Sequence, residues 1–438
     1  MLKVLRNRTF RILFIAQIVA LLGTGLMTIA LALLAYDLAE EGAGRVLGTV
    51  LAIKMIAYVV ISPLSSALTE GLPVRITLIV LDIVRAVAVI FLPFVTEIWQ
   101  VYAMVLLLQA ASAGYTPAFQ AVIPEILPDE GQYTRALSLS RLASDLESAL
   151  SPLLAALLLV VVSFNTLFLG TALGFLVAAL CIGLVVLPKT PPSAPAKFLD
   201  RATKGIRIYF KTPRLRGMFA LGFAAAAAGS MVLVNTVVLV QDQFGLGEQS
   251  VAFALAAYGG GSMAAALSLP RFLDRLRDRT VMLLGAGLLT AACIMGSQLF
   301  TYTALLALWV VIGIGFAMTV LPAGRLIRRS ANAADRTGLF AAQFAISHSV
   351  WLLCYPLAGS IGAAIGVQST FWIMAAIACT GLLVGLLLWP ARDPEQLRHS
   401  HSDLDADDPH LIGAKYVHGT YHHSHRYVID RHHPKWPG

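Results

Sequence analysis

Histidines are concentrated at the end of this chain. Nine of the ten histidines follow Pro390, within 48 residues that also carry several aspartates. Unprotonated imidazole beside carboxylate is a donor set that suits nickel, cobalt, zinc or copper ions. Two short repeats, His-Ser-His and His-His-Ser-His, place donors close enough to chelate an ion with little ordering of the chain. The expected metal ligands are His399, His401, His410, His418, His422, His423, His425, His432 and His433.

The same tail is too polar to fold alone. We therefore expect it to be disordered until a metal or the rest of the protein orders it. It contains no cysteine and its spacing matches no zinc finger, whereas an expression tag is an unbroken histidine run. The alternative interpretation is a solubilising tail without a metal function.

Two pairs of opposite charges lie inside strongly apolar segments. Asp82 and Arg85 are three residues apart, and Arg141 and Asp145 are four apart, so each pair shares one face of a helix. An ionisable group inside a membrane costs a few kcal/mol, which makes each a candidate for transport or proton movement. The alternative is a local ion pair that braces the cytoplasmic end of the bundle.

Three further polar side chains in apolar segments lack a partner nearby in sequence. Glu147 lies about 200° around the helix from Asp145, so it is expected to face a cavity or a neighbouring helix. Lys54 lies about 13 Å into its segment. Glu147 and Lys54 can each carry protons if burial shifts the pKa, or can each belong to a buried ion pair. His348 can titrate, bind metal or simply pack. The full candidate set is Lys54, Asp82, Arg85, Arg141, Asp145, Glu147 and His348.

Composition identifies the elements that position these residues. The chain of 438 residues is 58% hydrophobic and 13% charged, with a mean hydropathy of +0.77. Apolar segments of about 20 residues cross a bilayer as helices, because the backbone must satisfy its own hydrogen bonds there. The prediction is an all-α membrane protein with twelve transmembrane helices. The predicted spans are 12–36, 45–68, 75–95, 99–121, 135–161, 165–187, 215–240, 249–272, 279–299, 303–324, 337–365 and 369–390.

The two halves of the chain repeat one another. Pro152 recurs as Pro356 and Pro188 recurs as Pro390, at offsets of 204 and 202 residues. A nearly constant offset is typical of an internal duplication and predicts two pseudo-symmetric six-helix bundles. The predicted units are an N-terminal bundle at 1–187, a basic cytoplasmic linker at 188–214, a C-terminal bundle at 215–390 and a histidine-rich cytoplasmic tail at 391–438.

The distribution of cations predicts the orientation. With alternating loops, 22 of the 32 Lys and Arg residues lie on one side and only Arg45 lies on the other. The positive-inside rule then places both termini in the cytoplasm of a bacterial-type inner membrane. The net charge of +8 thus reflects topology and anionic lipid, and no nucleic-acid partner is expected. Within the linker, Phe198, Ala202, Ile206 and Tyr209 recur at helical spacing, which predicts an amphipathic helix on the cytoplasmic face. A solvated linker is the alternative.

Two six-span halves joined by a basic loop resemble the major facilitator superfamily. The loop from Leu269 to Arg279 is similar to that family's G-x-L-x-D-R-x-G-R-R motif, with Asp274, Arg275 and Arg279 in the acidic and basic places. The resemblance implies a cytoplasmic gate at this loop, a substrate site near the midplane and rocking of the two halves. In the equivalent loop of the first half, Glu70 keeps the acid and Arg75 keeps the last cation, but Gly71 stands where the first arginine is expected.

The resemblance and the tail together favour an exporter. Histidine-rich cytoplasmic tails on this superfamily resemble nickel- and cobalt-resistance exporters, which implies proton-coupled efflux, by antiport, of a divalent transition metal. The three intramembrane cations offset the three carboxylates, so a metal chelate or an organic anion suits the spans better than a naked ion. The alternative is export of amphiphilic organic compounds, of the drug or siderophore type, with a regulatory tail. A metal receptor that does not transport is the third hypothesis.

Other classes of function receive no support from the sequence. The glycines 259–261 lie in an apolar span without a following Lys-Ser/Thr, so they indicate helix packing and not a nucleotide site. No nucleophile and base are spaced for catalysis, so an enzyme is not expected. We expect no cofactor apart from a transition metal as substrate or tail ligand. The expected partners are the lipid bilayer and a small-molecule or metal-ion substrate, and we expect a monomer.

Overall fold

The computed structural model describes residues 2–39, 43–69, 71–188, 197–298, 301–394, 396–401, 405, 408–417 and 419–437. Long helices dominate it, with two shorter helices in the connections. The helices are α1 Arg8–Ala39, α2 Ala43–Leu68, α3 Val74–Phe91, α4 Ile98–Ile126, α5 Glu130–Leu159, α6 Phe164–Gly183, α7 Phe198–Lys211, α8 Pro213–Val237, α9 Glu248–Leu273, α10 Asp278–Gly296, α11 Tyr302–Val320, α12 Ala323–Ser330, α13 Ala333–Ile365 and α14 Val367–Leu388.

Apart from α7 and α12, the helices correspond to the predicted spans. Ten of them are long and apolar enough to cross a membrane within the described residues. The other two, α5 and α9, pack against each other. Pro63, Pro117, Pro270 and Pro356 lie inside helices, which a helix surrounded by neighbours tolerates. The predicted fold class, an all-α multi-pass membrane protein, is confirmed.

The duplication is visible in the packing of the helices. In the first half α1 packs on α5 and α6, α2 on α4, and α3 on α4 and α6. In the second half α8 packs on α13 and α14, α9 on α11, and α10 on α11 and α14. These are the same neighbours once α1–α6 are matched with α8–α11, α13 and α14. Each half has its own apolar core, one around Phe10 and Phe168 and the other around Trp309 and Phe371.

The halves meet along two related seams. Helix α2 packs against α13, and α5 packs against α9. Because α2 corresponds to α9 and α5 to α13, these two seams are equivalent under the duplication. Helix α4 adds a further contact with α13, near the ends of both helices that lie by the basic loops. We call this side of the molecule the basic end.

The linker contains the predicted amphipathic helix, α7, and protein covers part of its apolar face, while Phe198 and Phe210 remain exposed. Ala202, Ile208 and Tyr209 are buried, and α7 packs against α13 and α2. A Cβ at Gly205 would lie 2.1 Å from the carbonyl oxygen of Gly338, so only glycine permits this close approach. Helix α7 is therefore part of the bundle's packing.

The tail is folded and docked on the C-terminal half. It forms an antiparallel sheet in the order β1-β3-β2, from strands Leu397–His401 (β1), Lys415–Val417 (β2) and Thr420–His425 (β3). Tyr427 and Ile429 join the buried core of the C-terminal half. The Trp436 ring lies 4.9 Å from the Arg214 guanidinium, and Lys211 donates to the Pro434 carbonyl at 2.9 Å. Of the two ways to order the tail that the sequence allowed, the structure shows docking on the membrane domain.

Candidate functional sites: a central cavity, a clasp and a histidine cluster

A cavity of about 570 Å³ lies between the two halves. Its lining is largely apolar and aromatic, and both halves contribute to it. Gln17, Tyr115 and Arg141 line it from the first half, and Phe316 and Trp351 from the second. A concave, mainly apolar site with a few polar groups is typical of small-molecule binding.

The predicted pair Asp82 and Arg85 is formed on α3. Asp82 is fully buried and accepts from the Arg85 guanidinium. That guanidinium also lies between two rings, 3.9 Å from the centre of Tyr115 and 4.4 Å from that of Phe175. Stacking between two rings fixes an arginine in a way that a lysine cannot reproduce. Arg85 itself lines the cavity, so the pair presents a neutralised and not an acidic surface.

Arg141 joins the two halves in the membrane. It forms its predicted ion pair with Asp145 on α5 at 2.8 Å. It also donates to the Ser262 hydroxyl on α9 at 3.1 Å and lies 4.9 Å from the centre of the Phe316 ring. One cation of the first half is thus held by two side chains of the second. Sequence spacing indicated the local pair, and the cross-half contacts come from packing alone.

His348 and Lys54 both lie against the Tyr58 ring, at the seam between α2 and α13. The imidazole lies against the Tyr58 ring with the centres 4.8 Å apart, and its Nδ1 bonds to the Phe344 carbonyl at 2.7 Å. The Lys54 ammonium lies 5.7 Å from the centre of the same Tyr58 ring. Of these two residues, His348 lines the cavity, where a substrate can contact it.

Glu147 faces a neighbouring helix, one of the two expected places. It accepts from the Ser151 hydroxyl at 3.3 Å. A Cβ at Gly25 of α1 would lie 2.6 Å from its Oε1 atom, so the glycine permits this approach. Glu147 therefore lies at the α1–α5 interface within the first half, whereas Lys54 lies at the α2–α13 seam between the halves.

Arginines of the second half close the basic end. Arg325 on α12 forms ion pairs with Glu130 of the first half and with Asp278 of α10, both at 2.9 Å. It also donates to the Thr134 hydroxyl of α5 at 2.7 Å. Arg329 adds a contact with Asp278 at 3.7 Å.

Two more arginines cross between the halves at the same level. Arg328 donates to the Pro128 carbonyl, and Arg336 pairs with Glu125. We call the cross-half contacts of Arg325, Arg328 and Arg336 the clasp. Leu137 and Gly324, which flank the clasp in sequence, line the cavity, so the clasp lies at the cavity's basic side.

The motif-like loop before α10 differs from the sequence-based expectation. Asp274 and Arg275 are exposed, and Asp274 makes no ion pair among the described residues. Arg279 donates to the Trp389 carbonyl at 2.9 Å and so fixes the end of α14. The buried acid of this region is Asp278, which spacing alone did not distinguish. In the first half, Arg75 donates to the Gly183 carbonyl, and the acid at position 70 lies outside the described residues.

Five tail histidines converge on one point. Antiparallel pairing of β1 with β3 places His399 directly opposite His423, and His425 follows on the same face of β3. His410 comes from the segment between the strands and His433 from the chain after β3. One ligand atom from each of the five rings lies within 4.8 Å of all the others.

Contacts outside this five-histidine cluster orient three of its rings. The Nδ1 atoms of His399 and His425 bond to the carbonyls of Leu397 and Arg426, at 3.0 and 2.8 Å. His433 Nδ1 bonds to an Asp430 carboxylate oxygen at 2.9 Å. An Nδ1 that donates to such an acceptor leaves the lone pair on Nε2, which is the arrangement seen around metal-ligating histidines.

The inward Nε2 atoms lie at the spacing of ligands around one ion. His399 Nε2 is 3.0 Å from that of His423 and 2.9 Å from that of His433, and His410 Nε2 is 3.3 Å from that of His425. Ligands at about 2.0–2.1 Å from a metal are separated by about 2.9–3.4 Å. Loss of hydration, with neighbouring imidazoles, lowers the pKa of His399, His410 and His423 to about 4. These rings are unprotonated at neutral pH, as metal ligands must be.

The remaining predicted tail ligands have other positions. His401 Nε2 lies 3.2 Å from His410 Nε2, at the edge of the cluster. His432 lies 3.7 Å from an Asp408 carboxylate oxygen. His422 is on the opposite face of β3, where its Nε2 contacts the Thr420 hydroxyl at 2.8 Å. His418 lies outside the described residues.

Comparison with known proteins identifies the family. The family model described as Major Facilitator Superfamily matches residues 13–270 and 218–421. The chain belongs to this superfamily. It is therefore a multi-pass membrane transporter, as the two equivalent six-helix bundles indicate.

Two bacterial proteins are similar to this chain in sequence, and one of them is named an efflux protein. This superfamily member is 24% identical over 220 residues to Macrolide efflux protein A of Streptococcus pyogenes, covering 48% of this chain and 53% of that protein. The chain thus spans about half the length of that relative. It is 22% identical over 349 residues to the uncharacterized MFS-type transporter YfiS of Bacillus subtilis, covering 75% and 80% of the two chains.

Solved structures share the fold at low sequence identity. The human organic anion transporter MFSD10 (TETRAN) superposes with a TM-score of 0.74 at 14% identity, covering 86% of this chain and 99% of that one. A bacterial homologue of the iron transporter ferroportin, in an outward-facing state, gives a TM-score of 0.73 at 12% identity, covering 87% and 99%. Both likenesses concern the fold alone.

Proposed function

We propose that this transporter exports a transition metal, carried as a chelate, by proton-coupled antiport, and that its tail binds the same metal on the cytoplasmic side. The observation that carries the proposal is the convergence of five inward Nε2 atoms in the tail. Imidazole donors in this number suit nickel, cobalt, copper or zinc, and the cluster has the second-shell contacts that such sites require.

The chemistry of the cavity favours a chelate over a naked ion. No carboxylate is among the described residues that line the cavity, and His348 and Met218 are its only metal-donor side chains of the nitrogen or sulfur type. Arg85 and Arg141 also line it, and each is already paired with an aspartate. A divalent ion would lose its hydration without gaining charged ligands there. A metal complex with an organic, anionic shell would contact the aromatic walls and the arginines instead.

The proposed orientation places the basic end in the cytoplasm. The excess of cations in the connecting loops on that side supports it through the positive-inside rule. Both termini, the clasp and the docked tail then face the cytoplasm of an inner membrane. The tail raises the local metal concentration beside the cavity's mouth, since a tethered site encounters the cavity more often than a free one. Asp82, Asp145 and Glu147 are the proposed proton carriers.

A second candidate is export of amphiphilic organic compounds with a regulatory tail. The aromatic lining of the cavity favours it, and relatives of similar sequence are named macrolide efflux proteins. In that case the metal bound by the tail is a signal and not a cargo.

Uptake into inverted membrane vesicles distinguishes the two candidates. Nickel is supplied either as the free ion or as its citrate complex, with an imposed proton gradient. We expect accumulation of the complex to exceed that of the free ion and to stop when a protonophore collapses the gradient. Vesicles that contain the protein truncated after Pro390 are expected to accumulate less nickel than vesicles with the full-length protein at low nickel concentration, and the same amount at high concentration. Absence of nickel accumulation in both forms, with accumulation of a macrolide, would support the second candidate.

A further inference from the structure

We infer that a metal ion bound in the five-histidine cluster holds the clasp closed, and that Arg426 transmits its effect. The inference rests on the proposed metal-binding role of the tail and adds a regulatory role to it. It follows from contacts that one short helix, α12, makes with the tail and with the first half, and from contacts within the tail that fix the segment carrying Arg426. This helix receives the tail at its C-terminal end, and its side chains reach the other half of the protein.

The first contact connects the cluster to α12. Arg426 directly follows the cluster residue His425, and its guanidinium donates to the carbonyls of Arg328 and Arg329, the latter at 3.1 Å. These carbonyls belong to the last turn of α12, where intrahelical donors are lacking and the helix dipole is negative. A guanidinium is thus a favourable cap for this helix end.

The second contact fixes the segment that carries Arg426. Two cluster residues, His425 and His433, bracket it on both sides. Within the bracket, Tyr427 is buried, and the Asp430 carboxylate accepts from the backbone N–H groups of His432 and His433 at 2.9 Å. An ion that joins His425 to His433 closes this segment into a loop and removes conformational freedom from Arg426.

The third contact connects α12 to the first half. Helix α12 has only eight residues, so its stability depends on its surroundings more than on its own hydrogen bonds. Its side chains Arg325 and Arg328 reach Glu130, Thr134 and Pro128 across the mouth of the cavity. A firmer C-terminal end of α12 therefore stabilises the clasp.

The direction of the effect follows from linkage. If metal binds more tightly when Arg426 is docked on α12, then metal shifts the transporter toward the closed basic end. By the same reasoning, closing the basic end raises the affinity of the tail for metal. A loaded tail thus favours the state in which the cavity is shut on the basic side, and release of the ion from the tail favours opening, so delivery of the ion coincides with opening of the mouth.

Hydrogen exchange in the full-length protein in lipid nanodiscs tests this inference. Backbone exchange of residues 323–330 and 130–137 is compared with and without saturating Ni²⁺, and Ni²⁺ stoichiometry is measured on the same sample. We expect one cluster-bound Ni²⁺ per chain and backbone exchange that is slower in both segments by about tenfold, the effect of strengthening the Arg426 cap by one charge-assisted hydrogen bond. The variant Arg426→Ala is expected to bind Ni²⁺ with the same stoichiometry and to lose the slowing.

Matched variants show whether the Arg426 contact is responsible for each outcome. Lys415→Ala removes a positive charge from the exposed strand β2 and is expected to behave as the unmodified protein. Arg426→Lys keeps the charge but not the fork that reaches two carbonyls, so it should restore part of the slowing. Ni²⁺ binding without any slowing in the unmodified protein would overturn the inference and leave the metal-binding tail intact. Slowing that persists in Arg426→Ala would also overturn it, and absence of Ni²⁺ binding would overturn both proposals.

Discussion

The polar side chains of the central cavity and those of the tail differ in what they contact. In the cavity the arginines are paired with aspartates, and the single histidine that lines it packs against Tyr58 and bonds to its own helix. In the tail five imidazoles point their Nε2 atoms toward each other. Under the proposed function, this difference assigns capture of a bare ion to the tail and passage of a chelate through the membrane to the cavity. The following predictions test that separation.

Removing the cation of the most buried pair should have the largest effect. Arg85→Met leaves the fully buried Asp82 without the guanidinium that donates to it. Loss of one partner of such a pair costs about 3–5 kcal/mol. We expect a lower thermal midpoint in detergent, with unchanged nickel binding by the tail in protein that remains folded. The control is the double variant with Asp82→Asn, which should recover a large part of the loss. An unchanged midpoint in the single variant would show that the pair is not structurally coupled.

Removing two cluster ligands should abolish tight metal binding without disturbing the cavity. His399 contacts two other Nε2 atoms of the cluster, and His433 is anchored by Asp430. We expect the double variant His399→Asn and His433→Asn to bind nickel at least about 100-fold more weakly in equilibrium dialysis, since even second-shell losses cost 10–100-fold. His422→Asn is the matched control, because that ring lies on the other face of β3. Equal loss in the control would mean that the face of the sheet does not define the site.

Sequence spacing determined the contacts that lie within one helix or strand. The pairs Asp82–Arg85 and Arg141–Asp145 follow from helical periodicity, which converts a spacing of three or four residues into contact. The twelve long helices and their duplication followed from hydropathy and from the repeated prolines. In each case the information is local or repeated, so no knowledge of packing was needed.

Contacts between distant segments were not accessible in this way. Arg325 pairs with Glu130 in the clasp and with Asp278 in its own half, residues 195 and 47 positions away. Many arginines near helix ends compete for such partners, and only packing of the halves selects among them. In the tail, composition predicted a metal site, but the choice of ligands depends on strand register and on the return of His433 after β3. An acid at the first position of a helix at the basic end, as with Asp278, is the local sequence signal for such a site.

Changing the arginine that joins the halves should affect transport more than metal capture. Arg141→Met removes a cation from the cavity and breaks the contact with Ser262. We expect transport of the nickel–citrate complex in vesicles to fall by about tenfold, the effect of losing one charge-assisted contact, while tail stoichiometry is unchanged. Arg141→Lys, which keeps the charge, should lose less. If transport of free nickel increased in Arg141→Met, the cavity would be acting as a site for a cation, against the separation proposed above.

The smallest effect is expected at the histidine that lines the cavity. His348→Phe keeps an aromatic ring against Tyr58 and removes the imidazole nitrogens. If the cargo enters as a chelate, its metal is already coordinated and this change should alter nickel–citrate transport by less than about threefold, because contact area is largely preserved. His348→Ala, which also removes the ring, should reduce transport more. Loss of transport in both variants alike would make the imidazole a ligand for the travelling ion, since loss of a metal ligand cannot be compensated by an apolar ring. The cavity and the tail would then perform the same chemistry at two successive points on one route.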